Sequence, residues 1–405
     1  MALWPLCLFV LIALPAPASP APLLPALTLS RGVTISGISS GADFAASLLL
    51  AASDIITGAG IFAGQAPLCA VSRFAGEAQS TCGAQPADRR GPGCGGLAST
   101  GAAPCRGCGA GQTVAYDHCK HAALALKDVD VPLLLGYARA AAAAGALPPL
   151  AALAGARVFL YRGALDSVYE DGSVNATAAF FSALLREPAA QLAFVADVPS
   201  QHCQPTADPW LSRASCGVNA PWAPPAMENC GFDGAGAALQ HFAAGALAPP
   251  PPGARADAAN LRTFDQDAYA NGTVWAGLAS TGFVYVPRAC AAGAACALHV
   301  AFHGCGMAAV FPAMNTSFVL HSFYNEWADA NNLVILYPQG GGFAERNLTA
   351  PTAQLAGGCW DGYGQTGRSF ASCGGPQVVA VRNMILALGG PAFAPPPCAP
   401  APAGE

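Results

Sequence analysis

The chain has 405 residues, of which 53% are hydrophobic and 10% are charged. This length allows one large α/β domain with insertions or two to three smaller domains, and the apolar composition argues against long disordered segments outside the tails. The formal net charge is −5, without clusters of basic residues, which argues against a nucleic-acid partner.

The first 18 residues have the pattern of a secretory signal peptide. An apolar segment from Leu6 to Leu14 precedes Ala16-Pro17-Ala18, a small-residue cleavage signal, although no Lys or Arg stands before the apolar segment. Later apolar runs are short or broken by Gly and Pro, so we expect no membrane span. The pattern predicts a signal peptide over residues 1–18 and a secreted, extracellular protein.

The 16 cysteines favour an oxidising compartment. Loss of Cys7 with the signal peptide leaves an odd number, so one thiol is expected to be free or paired between molecules. Cys105-x-x-Cys108 could contribute to a zinc site with Cys119 and two nearby histidines, His118 and His121, but structural disulfides are the favoured interpretation. We therefore expect neither a metal nor an organic cofactor.

Four N-x-S/T sequons agree with a eukaryotic secretory route and predict a glycoprotein. They begin at Asn175, Asn271, Asn315 and Asn347.

Strand and helix patterns alternate along the chain. A β-rich run ends at residue 37, and the other predicted strands are 56–62, 157–161, 192–195, 282–287, 297–302 and 333–337. The predicted helices are 45–52, 129–144, 178–186, 233–247, 318–330 and 377–388. This alternation predicts a mostly parallel sheet with helices on both faces, with functional side chains at the carboxyl ends of its strands.

We expect a single catalytic domain over residues 19–390. A Cys- and Gly-rich insertion occupies residues 65–128, and a Pro- and Ala-rich tail occupies residues 391–405.

Gly37-Ile38-Ser39-Ser40-Gly41 joins the first predicted strand to a run of small helical residues. Strand, G-x-S-x-G and helix together form the context of a nucleophile elbow, a tight turn that exposes the serine hydroxyl. Ser39 is therefore the candidate nucleophile, and the amide of Ser40 points at the same spot.

A serine nucleophile needs a base and a third group that orients the base. Asp166 and His202 both follow predicted strands and complete the order Ser, Asp, His. Most single histidines have only structural roles, and His202 is distinguished by its position in a loop after a strand. Three other acidic residues remain rivals of Asp166: Asp171, Asp197 and Glu170.

His303-Gly304-Cys305 follows another predicted strand and has the form of an oxyanion-hole loop. This loop ordinarily precedes the nucleophile, and the helix predicted at 377–388 ordinarily leads into the nucleophile strand. Both come after Ser39 in this chain, so we predict a circular permutation.

These residues carry a resemblance to a known family. The resemblance is clearest in four segments: 33–46, 229–239, 281–339, and Gly358-Cys359-Trp360-Asp361. The motifs at 298–305 and 325–339 are the most specific. Over most of the mature chain the sequence resembles the circularly permuted, single-domain polyhydroxybutyrate (PHB) depolymerases of fungi, a branch of the α/β-hydrolases.

The resemblance implies a catalytic triad of Ser39, Asp166 and His202, with an oxyanion hole formed by the amides of Ser40 and Cys305. Trp360 matches an aromatic residue of the family's polymer-binding crevice, and the alternative is a core indole beside a disulfide. The resemblance also implies four disulfides: Cys69–Cys82, Cys216–Cys230, Cys290–Cys296 and Cys305–Cys359.

The chain also departs from the family pattern. The Cys-rich insertion is longer than expected, Gly362 stands where the family tends to have a second Trp, and we expect no separate polymer-binding domain. The leading hypothesis is a secreted serine esterase that hydrolyses poly(3-hydroxybutyrate) or its oligomers through an acyl-enzyme. The alternatives are a general secreted carboxylesterase acting on feruloyl or acetyl esters and, less favoured, a non-catalytic binding protein.

Overall fold

The structure is a computed structural model that describes residues 22–70, 119–120, 129–211, 217, 226–270, 276–350, 352–367 and 369–394. The predicted signal peptide, most of the insertion at 65–128 and the tail beyond residue 394 lie outside these ranges, so the predicted domain boundaries stay predictions. In the described ranges, no helix combines the length and the apolar character that crossing a bilayer requires.

The described strands form one eight-stranded sheet and one two-stranded sheet. They are β1 (Leu29–Ile38), β2 (Ile56–Phe62), β3 (Arg157–Tyr161), β4 (Leu192–Val195), β5 (Gln204–Pro205), β6 (Met227–Glu228), β7 (Leu261–Asp265), β8 (Thr281–Tyr285), β9 (Cys296–Phe302) and β10 (Leu333–Tyr337). The large sheet has the order β4-β3-β2-β1-β9-β10-β8-β7, in which β8 is antiparallel to both its neighbours and the other pairs are parallel. The predicted mostly parallel sheet is confirmed.

The described α-helices cover both faces of the large sheet. They are α1 (Ser40–Ala51), α2 (Val131–Ala143), α3 (Asp171–Ser182), α4 (Pro188–Gln191), α5 (Gly234–Phe242), α6 (Arg288–Ala291), α7 (Ser317–His321), α8 (Tyr324–Asn331), α9 (Gly342–Glu345), α10 (Ala353–Ala356) and α11 (Pro376–Gly389). The single helix predicted at 318–330 is two helices, because Phe323 has a positive φ of 72° that interrupts the helical backbone between α7 and α8.

Alternating side chains of the central strands supply two separate apolar cores. Val300 and Phe302 of β9 pack with Phe44 of α1 on one face of the sheet. Ala301 lies between them in sequence and belongs, like Trp327 of α8, to the core on the other face. This division follows from the two-residue period of a strand, and it explains why the central strands are almost continuously apolar.

The two ends of the described chain meet at the start of β1. The Leu27 N–H donates to the Leu388 carbonyl near the end of α11, at 2.7 Å. The last helix therefore ends where the first strand begins, as a permuted connection requires. The circular permutation itself stays a prediction.

A buried polar network crosses the centre of the sheet. The two ring nitrogens of His299 each lie 2.8 Å from a hydroxyl, Nδ1 from that of Thr34 and Nε2 from that of Ser36. The Ser36 hydroxyl also lies 2.6 Å from the Tyr324 hydroxyl. Burial lowers the pKa of His299 from 6.5 to about 3, so the ring is neutral in the folded protein at neutral pH.

This network predicts a loss of stability in acid. The unfolded chain binds a proton at His299 below about pH 6.5, whereas the folded chain does so only near pH 3, so the stability present above pH 6.5 is lost as pH falls towards 3. In His299→Gln, the decrease in unfolding free energy between pH 7 and pH 4 should be smaller by about 3 kcal/mol than in the wild type.

Urea denaturation at the two pH values measures this difference. Ser36→Ala is the matched control, because it disturbs the same network but keeps the imidazole, and it should retain the wild-type acid sensitivity. If His299→Gln lost as much unfolding free energy in acid as the wild type, protonation of His299 would not be the cause of the acid sensitivity.

Candidate active site

Ser39 lies in a strained turn between β1 and α1. Its φ is 58° and its ψ is −124°, a backbone conformation that a residue with a side chain rarely adopts. The Ser39 N–H donates to the Phe62 carbonyl at 3.0 Å, which ties the turn to the end of β2. The strained strand-to-helix turn that the sequence predicts is therefore present at Ser39, and the role of Ser39 as nucleophile stays a prediction.

The two glycines of the elbow are required by close backbone contacts. A Cβ on Gly37 would collide with the Gly41 carbonyl, and a Cβ on Gly41 would lie 2.6 Å from the Phe302 carbonyl oxygen and would also collide with that of His303. The elbow is thus pressed directly against the end of β9, and this contact leaves no space for a side chain.

Helix α1 begins immediately after Ser39, earlier than the start predicted at residue 45. Its first turn is closed by the Ala42 and Asp43 N–H groups, which donate to the Ser39 carbonyl at 2.8 and 2.9 Å. The Ser40 amide is therefore one of the unpaired N–H groups at a helix N-terminus, where the helix dipole favours negative charge.

Asp166 and His202 form the buried pair that the chain order predicted. His202 Nδ1 lies 2.9 Å from Asp166 Oδ2. Asp166 Oδ1 accepts the N–H groups of Val168 and Tyr169 at 2.7 and 3.0 Å. Burial acts to raise the pKa of Asp166, but the His202 charge and these hydrogen bonds outweigh it, so the pKa lies below its ordinary value.

The rival carboxylates do not occupy this position. Asp171 pairs with Arg162 at 2.7 Å, and Asp197 is exposed in the loop after β4. Glu170 is the residue before α3, and its N–H donates to the Lys120 carbonyl at 3.0 Å.

Hydrogen bonds join the loops that follow β3 and β4. The Leu165 N–H donates to the Ser200 carbonyl at 3.0 Å, and the hydroxyls of Tyr161 and Ser200 lie 2.6 Å apart. Because β3 and β4 are parallel neighbours, their carboxyl ends meet at one edge of the sheet. This edge brings Asp166 and His202 together.

The loop His303-Gly304-Cys305 lies beside the elbow. A Cβ on Gly304 would be 3.3 Å from the Ser39 Cβ, so the glycine allows the loop to approach the serine. His303 accepts the Gly340 N–H at Nε2 (2.9 Å), and its Nδ1 donates to the Gly304 carbonyl (2.7 Å). Burial lowers the pKa of His303 to about 4, which keeps this tautomer neutral.

A disulfide and a hydrogen bond fasten this loop to the segment after α10. Cys305 is bonded to Cys359, and the Gly306 N–H donates to the Gly357 carbonyl at 2.7 Å. The Trp360 N–H donates to the Ser40 hydroxyl at 3.2 Å. The Cys305 loop and the start of α1 at Ser40 are therefore both tied to the segment 357–360.

The structure corrects the expectation for Trp360. The indole is 0% exposed, stacks on Phe44 at a centroid distance of 5.0 Å and meets Phe302 edge-on at 5.0 Å. A fully buried indole has no surface for a polymer. The structure therefore corresponds to the alternative, a core indole beside a disulfide.

Sequence reasoning missed a buried group of residues next to His202. Tyr169 stacks on the His202 ring at 5.4 Å and donates its hydroxyl to Asp43 Oδ2 at 2.6 Å. The Lys120 ammonium lies 4.7 Å from the centre of the Tyr169 ring and 5.2 Å from that of Tyr363. One signal was available, since Asp43, four positions after Ser39, is the one charged residue of helix α1.

Two of the four predicted disulfides are confirmed, Cys290–Cys296 and Cys305–Cys359. The pairing of Cys69 with Cys82 is wrong, because Cys69 is bonded to Cys119. The predicted pairing rested on the family resemblance, and sequence alone cannot choose among the cysteines of one Cys-rich segment.

Cys230 is also in a disulfide, and its predicted partner, Cys216, lies outside the described residues. In the described ranges Cys203 is the free cysteine, and it is buried.

The zinc alternative loses Cys119 to its disulfide, and the described residues contain no group of three or more metal-ligating side chains. Cys105, Cys108, His118 and His121 lie outside the described residues.

Comparison with curated proteins finds two depolymerases. The poly(3-hydroxybutyrate) depolymerase of Delftia acidovorans is 30% identical over 393 residues, which cover 94% of this chain and 65% of that protein. The polyhydroxybutyrate depolymerase of Talaromyces funiculosus is 26% identical over 388 residues, which cover 93% of this chain and 95% of that protein. This chain thus spans slightly less than two thirds of the Delftia protein. No protein-family profile matches the chain.

The solved structures that resemble this chain are also PHB depolymerases. The crystal structure of PHB depolymerase from Penicillium funiculosum has a TM-score of 0.67 and 25% identity, covering 91% of this chain and 98% of that one. A PHB depolymerase with a serine-to-alanine substitution, complexed with an R3HB trimer, has a TM-score of 0.68 at the same identity and coverage. Together with the mostly parallel sheet, this similarity confirms the α/β-hydrolase fold class and the predicted resemblance.

The elbow contacts predict that Gly41→Ala destabilises the protein, because the added methyl must displace the backbone at the end of β9. The expected loss is about 1–3 kcal/mol of unfolding free energy, measured by urea denaturation. The control is Gly136→Ala in α2, where an added Cβ meets no atom within 4 Å and Ala should stabilise the helix by up to about 1 kcal/mol. Wild-type stability in Gly41→Ala would contradict the tight contact between Gly41 and the backbone at the end of β9.

Proposed function

We propose that this chain, similar to PHB depolymerases in sequence and in fold, is a serine hydrolase that cleaves the ester bonds of poly(3-hydroxybutyrate) or its oligomers. The observation that carries the proposal is the buried Asp166–His202 hydrogen bond at the same sheet edge as the strained Ser39. A nucleophile elbow and an oriented imidazole are the two parts that acyl transfer by serine requires.

In the first half of the reaction, His202 removes the proton from the Ser39 hydroxyl as its oxygen attacks the ester carbonyl. Asp166 accepts the hydrogen bond from His202 Nδ1, so Nε2 is the nitrogen that takes the proton, and the carboxylate stabilises the imidazolium that forms. Collapse of the tetrahedral intermediate breaks the ester C–O bond, and His202 returns the proton to the leaving alkoxide. The products are an acyl-enzyme on Ser39 and an alcohol.

The amides of Ser40 and Cys305 stabilise the negative oxygen of that intermediate. The Ser40 amide has the helix dipole behind it, and the Cys305 loop is fixed by its disulfide and by the hydrogen bonds of His303. Donors held in place before the reaction need no reorganisation when the charge develops.

In the second half, His202 removes a proton from water, and the resulting hydroxide attacks the acyl-enzyme. The ester bond to Ser39 breaks, the serine oxygen regains its proton and the hydroxy acid or oligomer leaves. These steps need only this chain's own residues and water.

Secretion is part of the same proposal. The disulfides of the described region agree with an oxidising compartment. The sequon asparagines Asn175, Asn315 and Asn347 are exposed and could carry glycans, whereas Asn271 lies outside the described residues.

The alternative function is a general secreted carboxylesterase that acts on feruloyl or acetyl esters. One observation favours it, since Trp360 lies in the core and does not offer a stacking surface to a polymer. The same triad would serve both activities, so only the substrate separates them.

Active-site labelling tests the enzyme proposal. A fluorophosphonate probe should label the wild type and should not label Ser39→Ala, because the probe reacts with an activated serine hydroxyl. Ser30→Ala, at the opposite end of β1, is the control and should label normally. Labelling that survives in Ser39→Ala would exclude Ser39 as the nucleophile.

Asp166→Asn tests the role of the acid. The amide cannot hold the imidazole in the required tautomer, so kcat on a soluble p-nitrophenyl ester should fall by about 10³–10⁴-fold with a smaller change in KM. Asp171→Asn is the control, because this rival carboxylate is largely exposed and pairs with Arg162. A comparable loss of kcat in Asp171→Asn would reassign the acid.

Substrate comparison decides between the two enzymes. The wild type should clear a poly(3-hydroxybutyrate) suspension and release soluble hydroxy acids or oligomers. Fast turnover of p-nitrophenyl or feruloyl esters without any clearing would favour the carboxylesterase.

A further inference from the structure

Lys120 is a buried cation that no step of the proposed reaction uses. Only 3% of its surface is exposed. Its backbone is anchored by the disulfide between the neighbouring Cys119 and Cys69, and its carbonyl accepts the Glu170 N–H at 3.0 Å. Burying an ammonium is costly unless nearby groups compensate its charge, so the surroundings of Lys120 must explain why it is there.

Two carboxylates and two aromatic rings compensate this charge. The ammonium lies over the rings of Tyr169 and Tyr363. Burial lowers the pKa of Lys120, and the carboxylates of Asp43 and Asp166 oppose that effect. Burial likewise raises the pKa of Asp43, and the Lys120 charge acts in the opposite direction.

Tyr169 connects this cation to the His202 imidazole. Its ring stacks on His202 with an interplanar angle of 13° and also contacts the ammonium. Its hydroxyl donates to Asp43, and its N–H donates to Asp166. Lys120 therefore lies next to the residues that hold both members of the Asp166–His202 pair.

We propose that Lys120 is a positioning residue for the reaction, whose buried ammonium sets the charge around the Asp166–His202 pair and holds the Tyr169 ring against the imidazole. This inference rests on the proposed hydrolase function. While Lys120 is protonated, its positive charge makes a second positive charge nearby unfavourable, so it favours the neutral imidazole, which is the form that accepts the serine proton. The enzyme therefore stays active to lower pH than it would without Lys120.

The test compares neutral and charge-retaining variants. We would measure kcat and KM on a soluble p-nitrophenyl ester from pH 4 to pH 9 for Lys120→Met, Lys120→Gln and Lys120→Arg. The acid limb of kcat/KM should move to higher pH by about half a unit or more in the two neutral variants. It should stay at the wild-type position in Lys120→Arg, which keeps the charge.

Arg382→Met is the matched control for loss of a buried cation. The Arg382 guanidinium pairs with Asp54 at 2.5 Å beyond the far end of α1 from Ser39. With 12 residues in α1, this pair lies roughly 18 Å along the helix from the elbow. The control should lower the melting temperature but leave the acid limb where it is.

The proposal is overturned if the acid limb of the kcat/KM profile stays at the same pH in both neutral variants. A lower kcat in these variants would not rescue it, because a purely structural loss also lowers kcat. An equal shift in Arg382→Met overturns it as well. Lys120→Gln keeps the test decisive if Lys120→Met fails to fold. Ser39→Ala, measured alongside, separates failure of the Lys120 proposal from failure of the hydrolase proposal. Activity that persists in this variant would refute the hydrolase mechanism itself, independently of Lys120.

Discussion

The contact between the elbow and the end of β9 is the constraint on which the rest of the site depends. Gly41 lies against the carbonyls of Phe302 and His303, so the turn that carries Ser39 and the loop that carries Cys305 cannot move separately. The parallel pairing of β1 with β9 brings these two segments together, although they are far apart in sequence. Ser39 and the loop of Cys305 are thus positioned by the sheet itself, and the strain at Ser39 is maintained by the surrounding backbone.

His202 and Asp166 are positioned differently. They lie on loops, and hydrogen bonds between the loops after β3 and β4 join Leu165 to Ser200. Beneath them, Tyr169 contacts His202, Asp43 and the Lys120 ammonium, so that a buried polar group supports the imidazole. Such groups are costly to bury, and they persist only where every member has partners of suitable charge or geometry. The site therefore combines a rigid backbone contact on one side with a compensated charge network on the other.

The local patterns of the chain predicted much of this architecture. The strands at 56–62, 157–161, 192–195 and 333–337 have the predicted limits, because each is a short β-rich run bounded by turn residues. The break at Phe323 and the edge strand β7 were missed, since neither leaves a periodic signal. Trp360 was expected in a polymer-binding crevice, with a core indole beside a disulfide as the alternative, and it is buried. A Trp next to a cysteine has the same sequence in either environment, and only its contacts with Phe44 and Phe302 decide between them.

The sequence by itself determined the elbow, Ser39 and His202 with a set of candidate acids, and the class of fold. These features depend on the conformational demands of glycine and on hydrophobic periodicity, which are properties of neighbouring residues. Only the tertiary structure decided that Asp166, and not Asp171 or Asp197, meets His202, that Cys69 bonds to Cys119, and that Lys120 lies beneath the site. Each of these is a contact between distant segments, and its partner depends on how the strands order themselves in the sheet.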